Sequence, residues 1–219
     1  MYTGPNIITN GLVLSLDAAN RKSYPGSGTT WRDLSGNNNT GTLASGSAFS
    51  SANGGSIVFD GIDDFIDLPI NAQFNTPSVT FDCWINLQNR NNRHIVYVNW
   101  SGNSLEVNSN RTVVMYNLSS ADQLGATTTS TINFGEWVNI TGIYNSISQT
   151  LETYINGLLR ATRTSTPNTI YNVSTHRISG TNFSGAILGN VSIVRHYNRA
   201  LTAAEVDQNY NATKTRYGL

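Results

Sequence analysis

The sequence predicts an all-β protein, a sandwich or barrel of short antiparallel strands. Of its 219 residues, 29 are Asn, 23 are Ser and 25 are Thr, which together make about 35% of the chain. Asn and Ser favour turns, Thr favours strands, and all three are poor in helix interiors. Between residues 11 and 197, about ten to twelve short extended runs alternate with polar turns. Strands at such spacing are typical of sandwiches and barrels.

The first predicted strands combine apolar alternation with clear turn signals. One covers residues 11–17, and two more, at 56–60 and 65–69, flank a turn at 61–64. Two strands joined by so short a turn are expected to pair as a hairpin. The stretch from 24 to 53 is dense in Gly, Ser, Asn and Thr. A surface or rim loop is therefore expected there.

The strand predicted at residues 78–87 carries a clear period of two. Its positions on one face are Val79, Phe81, Cys83, Ile85 and Leu87. Trp84 has the opposite phase, which indicates that both faces of this strand are covered. Cys83 is the single cysteine, so no disulfide can form within the chain and a buried thiol is expected. Further strands are predicted at residues 94–100, 104–107, 112–117, 137–144, 150–157, 177–180 and 190–197.

One short helix is predicted near the C-terminus. Residues 202–205, Thr-Ala-Ala-Glu, have the form of a capping box, in which the Thr and Glu side chains satisfy backbone N–H groups. A helix over residues 203–209 follows. Because 219 residues support one sizeable core, we expect an N-terminal arm at 1–10 and one domain over 11–219.

The charge balance excludes two classes of partner. The chain has 13 Lys+Arg and 13 Asp+Glu, a formal net charge of zero, and charged residues make up 12% of it. Such a composition provides neither a basic surface for nucleic acid nor a polybasic patch for a membrane. The first residues lack a basic region and a long apolar run, so no secretory signal is expected. No apolar run reaches the length of a membrane helix.

Catalytic motifs are weak in this chain. Glucanases of similar architecture carry Glu-x-Asp-x-x-Glu on one strand, whereas the nearest match, at residues 205–210, lacks the final acid and lies on the predicted helix. The histidines at 94, 176 and 196 form no His-x-x-x-His pair, and one cysteine cannot build a thiolate zinc site. A triad of distant residues stays open, but so few titratable groups favour a protein that is not an enzyme.

One cluster of acidic residues offers two interpretations. Its members are Asp60, Asp63, Asp64 and Asp67. They could shape a tight turn and cap backbone amides. Alternatively, Asp60, Asp63 and Asp64 could bind Ca²⁺, which prefers such hard oxygen ligands. The turn is favoured, because the spacing does not match an EF-hand loop.

Glycan binding needs exposed aromatic faces beside hydrogen-bonding side chains. Four aromatic residues lie in or beside polar loops and are the candidate ligand-binding residues: Trp31, Trp100, Tyr116 and Tyr171. Trp84 and Trp137 lie in alternating strands and are predicted to be core. For each candidate, packing is the competing interpretation, because Trp side chains are mostly buried.

Several segments together resemble a laminin-G-like, concanavalin A-like domain. They are FDGIDDFIDLP at 59–69, SVTFDCWINL at 78–87, Trp137–Ile140 followed by Tyr154–Gly157, and the closing strand and helix from 189 to 205. The resemblance covers about residues 11–211. It implies a jelly-roll sandwich of two antiparallel sheets with a short C-terminal helix. It does not imply one function, because members bind sugars or proteins; some relatives hold calcium on the sandwich rim.

The opening of the chain has a more particular resemblance. Residues 11–43, GLVLSLDAANRKSYPGSGTTWRDLSGNNNTGTL, and the ending at 209–219 resemble versions of this domain in virion proteins of tailed bacteriophages. This implies a virion surface protein that is not an enzyme, a capsid decoration or a head or tail fibre component. It would be assembled in the host cytoplasm, contact other virion proteins, form a homo-oligomer and adhere to host or environmental glycans. The alternatives are a calcium-dependent lectin and, weakened by the missing signal, a secreted adhesin module.

Overall fold

The computed structural model describes residues 5–99, 102–118, 124–165, 175–180 and 185–219. Within these ranges it contains sixteen strands and one α-helix. The strands are β1 (Leu12–Asp17), β2 (Thr30–Trp31), β3 (Gly41–Ala44), β4 (Ala48–Ser50), β5 (Ser56–Asp60), β6 (Phe65–Leu68), β7 (Val79–Leu87), β8 (His94–Asn99), β9 (Asn103–Val107), β10 (Thr112–Asn117), β11 (Gly125–Thr131), β12 (Val138–Asn145), β13 (Thr150–Ile155), β14 (Leu158–Thr164), β15 (His176–Ile178) and β16 (Leu188–Tyr197). The helix α1 spans Ala203–Asn211, and short 3-10 helices span Ala52–Gly54, Ala72–Phe74 and Lys214–Tyr217.

The strands form two sheets, and every pairing is antiparallel. The first sheet has the order β14-β13-β12-β7-β16-β5-β4, with β1 also paired to β16. The second sheet has the order β11-β10-β9-β8-β15-β6-β3-β2. The predicted all-β sandwich of two antiparallel sheets with a short C-terminal helix is confirmed.

The main core lies between the sheets and follows from strand alternation. On β7, the residues Phe81, Cys83, Ile85 and Leu87 are fully buried and face the second sheet. In the second sheet, one row of paired apolar residues crosses seven strands: Leu43, Ile66, Ile178, Tyr97, Leu105, Met115 and Ala126. Each such large side chain contributes about 1.5–3 kcal/mol by leaving water. The thiol of Cys83 is free and buried, as predicted.

Trp84 is buried on the outer face of the first sheet, where the C-terminal segment covers it. Its ring lies parallel to Tyr217 with a centroid distance of 4.0 Å, and its Nε1 donates to Thr213 Oγ1 at 2.8 Å. The prediction that both faces of β7 are covered is confirmed. Trp137, predicted to be core, is instead half-buried beside Tyr217.

The helix begins at the predicted capping box and runs two residues further than expected. Thr202 Oγ1 accepts from the N–H of Glu205, and Glu205 Oε2 accepts from the N–H of Thr202 at 2.8 Å. On the buried side of α1, Asn209 Oδ1 accepts from the N–H of Ile8, which anchors the N-terminal arm. Among the described residues, no helix is long and apolar enough to cross a membrane.

Two local predictions about strands are wrong. β5 and β6 are not a hairpin, because β5 belongs to the first sheet and β6 to the second. The turn between them carries the chain across the sandwich, so that Phe59 and Ile66 enter the core from opposite sides. The expected loop from 24 to 53 contains β2, β3 and β4, which are only two to four residues long. Such short strands leave little apolar periodicity in the sequence.

Candidate functional site

A row of directly paired residues crosses the outer face of the second sheet. We call it the outer row, and it consists of Thr42, Asp67, Arg177, Val98, Ser104, Tyr116 and Gly125. Each member is the sequence neighbour of a residue in the apolar row that faces the core. Because successive side chains on a strand point to opposite faces, the outer row points away from the core.

The Tyr116 end of the outer row combines an aromatic ring with hydrogen-bonding groups. Tyr116 is half-buried, and its ring lies over Gly125 so closely that a Cβ there would come within 2.7 Å of two ring carbons. Because Gly125 has no side chain, there is room for the Tyr116 ring beside β11. On its other side Tyr116 faces Ser104, whose Oγ donates to Glu106 Oε1 at 2.7 Å.

Glu106 is a buried carboxylate whose charge is partly balanced. Its residue is 2% exposed, and its Oε2 lies 3.4 Å from Arg93 Nη1. Burial raises the pKa of Glu106, while the Ser104 hydrogen bond and the Arg93 charge act in the opposite direction. Burial also raises the pKa of the Tyr116 hydroxyl, and the Glu106 carboxylate raises it further. These groups form one electrostatically connected cluster beside the ring.

The opposite end of the outer row holds an ion pair near an aromatic ring. Arg177 Nε donates to Asp67 Oδ1, and the guanidinium carbon lies 4.3 Å from the centroid of the Phe65 ring. The side chains of Arg177 and Asp67 are 24% and 41% exposed. Between the two ends, Val98 and Ser104 are fully buried. A ligand can therefore reach the row at its ends.

The four predicted aromatic residues have different outcomes. Trp31 is wrong as a ligand-binding residue, because β2 turns its ring into the core, where it has no exposed surface. Its strand neighbour Thr30 takes the exposed position instead. Tyr116 lies on the outer row. Trp100 and Tyr171 lie outside the described residues.

The acidic turn between β5 and β6 uses two of its carboxylates as backbone caps. Asp60 Oδ1 accepts from the N–H of Ile62 at 2.8 Å, and Asp64 Oδ2 accepts from the N–H of Asp60 at 2.9 Å. The structural interpretation of this turn is confirmed. The fourth acid of the cluster, Asp67, lies apart on β6 and pairs with Arg177.

The same turn brings three carboxylates together around a buried oxygen. One oxygen each of Asp60, Asp63 and Asp64 lies within 4.8 Å of the others. Asp64 is 4% exposed, and its Oδ1 has no hydrogen-bond partner in the described part of the chain. Burial raises the pKa of Asp64; the backbone hydrogen bond from Asp60 opposes this rise, and the charges of Asp60 and Asp63 add to it. A cation would relieve this crowding of negative charge.

Sequence reasoning missed Glu106, Arg93 and Arg177. A signal for Glu106 is present, because in SLEV the residues Ser104 and Glu106 alternate with two apolar neighbours. Arg93 precedes its strand and carries no periodic signal. Arg177 pairs with a residue 110 positions away, so no local pattern identifies its partner.

The fold is similar to several solved structures. The binding domain of Paraclostridial Mosquitocidal Protein 1 is 18% identical with a TM-score of 0.73, over 93% of this chain and 52% of that chain. Domain 4 of AbnA, an extracellular GH43 arabinanase from Geobacillus stearothermophilus solved with arabinotriose, is 17% identical with a TM-score of 0.71, over 91% and 98%. Trypanosoma rangeli sialidase is 16% identical with a TM-score of 0.69, over 97% and 35%.

These identities show a shared fold. The chain spans about half the length of the mosquitocidal binding domain and about a third of the sialidase chain. A comparison with curated protein sequences finds no match. A family model described as the concanavalin A-like lectin/glucanases superfamily, Laminin_G_3, matches residues 60–207. With that match over more than half of its length and the two-sheet sandwich, the chain belongs to the laminin-G-like branch of the concanavalin A-like lectin/glucanase superfamily.

Proposed function

We propose that this chain is a glycan-binding domain that is not an enzyme, and that it binds at the Tyr116 end of the outer row. The observation that carries the proposal is the Tyr116 ring, which lies over Gly125 beside the Glu106–Arg93 pair. An aromatic face offers an apolar surface to a sugar ring. Adjacent charged groups can donate hydrogen bonds to the sugar hydroxyls and accept hydrogen bonds from them. The half-exposed Arg93 brings such a donor to the surface.

The arrangement of carboxylates on the second sheet favours binding over hydrolysis. A glycosidase needs two carboxyl groups about 5 to 10 Å apart. Asp67 on β6 and Glu106 on β9 are separated by β15 and β8, which is three strand spacings. Three spacings amount to about 14 Å, so these two acids are too far apart to act together on one glycosidic bond.

Two of the similar structures support a binding role. One is the binding domain of a mosquitocidal protein, and another is an arabinanase domain solved with arabinotriose. The sialidase supports an enzymatic role less, because this chain corresponds to 35% of it.

The particle setting that we propose is the surface of a tailed bacteriophage, as a capsid decoration or a fibre component. It is supported by the resemblance of residues 11–43 to phage virion proteins. It is also compatible with a fold that needs no disulfide, since the one cysteine is free and buried. Mass spectrometry of purified virions is expected to find the chain in many copies per particle. Its absence from purified particles would contradict this setting.

Replacing Tyr116 tests the proposed glycan site. On a glycan array, Tyr116→Ala is expected to weaken binding about tenfold, since stacking and burial of one aromatic ring contribute about 1–2 kcal/mol. Tyr116→Phe is the matched control, because it keeps the ring and should keep most of the affinity. Thermal unfolding checks that both variants fold. Full affinity in a folded Tyr116→Ala protein, or no glycan bound by the natural chain, would overturn the proposal.

A second candidate function is calcium-dependent binding at the acidic turn. It is favoured by Asp64 Oδ1, which is buried without a hydrogen-bond partner in the described ranges and lies in a carboxylate flanked by Asp60 and Asp63. Asp60 and Asp64 also cap the turn, so replacing either would disturb the backbone. Asp63 is exposed and makes neither of these caps, so replacing it with Asn removes a negative charge from the cluster without removing either cap.

Asp63→Asn tests this calcium site. Titration of the natural chain with CaCl₂ is expected to show one saturable site and a higher melting temperature, because a ligand that binds only the folded state stabilises it. Asp63→Asn should weaken that site about tenfold or more, since calcium affinity depends on the number of charged ligands. Asp207→Asn, an exposed acid on α1, should change nothing. No saturable binding at millimolar calcium would exclude the site.

A further inference from the structure

A pocket of about 580 Å³ lies on the outer face of the first sheet, away from the outer row. Its floor consists of two cross-strand pairs, Ser15 with Arg195 and Asp17 with Ile193. The N-terminal arm forms one wall, and residues 212–216 form the other. This volume lies within the range of natural small-molecule sites, about 300 to 1,000 Å³.

Both walls of the pocket are fixed to the rest of the domain. The arm is tied to α1, because Gln208 Nε2 donates to the carbonyl of Asn6 at 2.7 Å. The opposite wall is tied to the floor, because both terminal nitrogens of Arg216 donate to the Asp17 carboxylate, at 2.8 and 2.9 Å. The pocket is therefore a built cavity rather than a gap between loose segments.

The polar group that points to a ligand is Arg195. It is 3% exposed, and its Nη1 donates to Asp82 Oδ2 at 2.7 Å. Its Nε is buried and has no hydrogen-bond partner among the described residues. A buried N–H of a charged group is costly to leave unpaired. A ligand oxygen in the pocket would accept from it.

The charges around the pocket favour a neutral ligand. Arg195 is paired with Asp82, and Arg216 is paired with Asp17, so the four charges already cancel. A carboxylate or phosphate would add an uncompensated charge to a buried site. A carbonyl oxygen can accept from Arg195 Nε without that penalty.

The remaining lining combines apolar side chains with neutral hydrogen-bonding groups. Ile7, Leu12, Leu34 and Ile193 offer apolar contact, and Asn20, Ser35 and Thr215 offer amide and hydroxyl groups. A ligand that suits this lining has a methyl group next to a carbonyl and carries several hydroxyls. An acetamido sugar has all three features.

We propose that this pocket binds an N-acetylated amino sugar, with the acetamido carbonyl accepting from Arg195 Nε and the methyl group against Ile193 and Leu12. The inference rests on the proposed glycan-binding function and adds a second site with a defined sugar class. The site lies on the opposite side of the sandwich from Tyr116, so the two sites can be tested separately.

Isothermal titration with three methyl glycosides tests the ligand class. Methyl N-acetylglucosaminide is expected to bind, whereas methyl glucoside and methyl glucuronide should bind at least about tenfold more weakly, because they lack the acetamido group or add a charge. In ¹H–¹⁵N spectra, the Nε–H resonance of Arg195 should shift only with the acetamido sugar. Equal affinity for glucoside, or a preference for glucuronide, would overturn the assignment.

Two variants test the position of the site. Arg195→Lys keeps a cation beside Asp82 but removes the Nε–H, and it should weaken acetamido-sugar binding at least about tenfold. Thr215→Trp, at an exposed lining position, should block the pocket without disturbing the core, and Thr162→Trp on the exposed edge strand β14 is its control. Melting temperatures verify folding. If both variants fold and bind the acetamido sugar as well as the natural chain does, the sugar does not bind in this pocket.

The same titrations separate this inference from the proposed function. If Tyr116→Ala abolishes acetamido-sugar binding and Arg195→Lys does not, the pocket is wrong and the outer row stands. If Arg195→Lys abolishes it while the glycan array shows no dependence on Tyr116, the pocket stands and the outer row is wrong. If the natural chain binds none of the three glycosides, the pocket assignment is wrong, and if it also binds nothing on the glycan array, the outer-row site is wrong as well.

Discussion

Lowering the pH from 7 to 4 is expected to cost the fold several kcal/mol, because all three histidines are buried as neutral rings. His94, His176 and His196 are each at most 1% exposed. The pKa is lowered from about 6.5 to about 4 for His94 and for His176, and well below its usual value for His196. A shift of this size corresponds to about 3 kcal/mol for each of the first two rings.

Two of these rings share one hydroxyl inside the main core. Tyr97 Oη lies 3.0 Å from His196 Nδ1 and 3.3 Å from His176 Nδ1, and Phe74 packs against both imidazoles. Burial lowers the pKa of both, and the proximity of His176 lowers that of His196 further. The Nε2 atoms of both rings are buried and have no hydrogen-bond partner among the described residues. A proton on either ring would therefore place a charge among aromatic side chains, and neither ring has an acidic partner in the described part of the chain.

The third histidine, His94, is the first residue of β8 and is an acceptor in the folded state. Its Nδ1 accepts from the N–H of Leu188 at 3.3 Å. Burial lowers the pKa of His94, and the nearby charge of Arg90 lowers it further, while an interaction with the Gln88 backbone raises it. Protonation of Nδ1 would remove this acceptor.

The direction of the effect follows from proton uptake by the unfolded chain. Between pH 6.5 and 4 the unfolded histidines bind protons and the folded ones do not, so the free energy of unfolding falls as the pH falls. Urea unfolding at pH 7, 6, 5 and 4 should show a loss of up to about 1.4 kcal/mol per pH unit for each histidine. His176→Gln removes one of these titrating groups, so it should reduce the slope by up to about 1.4 kcal/mol per pH unit.

Glu205→Gln is the control for the pH series. Its hydrogen bond with Arg199 lowers the pKa of Glu205 to about 2, with smaller help from Thr202. The stability it provides is present above about pH 4.5 and is lost as the pH falls toward 2. The variant should thus leave the slope between pH 6.5 and 5 unchanged. A free energy of unfolding that stays constant from pH 7 to 4.5 would contradict neutral burial of the histidines.

The sequence contains much of the fold because strand alternation is a local property. The period of two in residues 78–87 correctly predicts which side chains face the core, and the odd position of Trp84 correctly predicts a second covered face. The capping box predicts the start of α1 for the same reason, since its hydrogen bonds join residues three apart.

Which strands pair with each other depends on residues far apart in the sequence, and the predictions about pairing are wrong. Phe59 and Ile66 each alternate correctly, yet their strands belong to opposite sheets. The outer row contains residues from seven strands, and Arg195 contacts Asp82, which is 113 positions away in the sequence. Such sites form because strands that are distant in the sequence pair in a particular register. A single sequence shows the residues but not which of them come together.

Removing the Asp82 carboxylate is expected to destabilise the protein by about 3–5 kcal/mol, the usual cost of breaking a buried ion pair from one side. Asp82 is 1% exposed and accepts from Arg195, Asn139 and Thr141, at 2.7, 2.7 and 3.1 Å. Thr141 and Arg195 are its direct cross-strand neighbours on β12 and β16. Asp82→Ala would leave a buried guanidinium without its counter-ion and would remove an acceptor from Thr141 and Asn139, of which Asn139 keeps the carbonyl of Cys83.

Urea unfolding of Asp82→Ala measures this loss, with Asp67→Ala as the control. Asp67 also pairs with an arginine, but its side chain is 41% exposed, so its loss should cost about 0–1 kcal/mol. If the two variants lost equal stability, the buried pair would have no special role.

The double variant Asp82→Leu/Arg195→Met separates charge from packing at this position. Because it replaces both ions with apolar side chains of similar size, it should recover most of the stability that Asp82→Ala loses. If it is as unstable as Asp82→Ala, the hydrogen bonds of Asn139 and Thr141 stabilise the sheet rather than the ion pair. If it is stable and no longer binds an acetamido sugar, the pair is dispensable for folding and Arg195 is needed for the pocket. In that case the buried ion pair would serve ligand binding rather than folding.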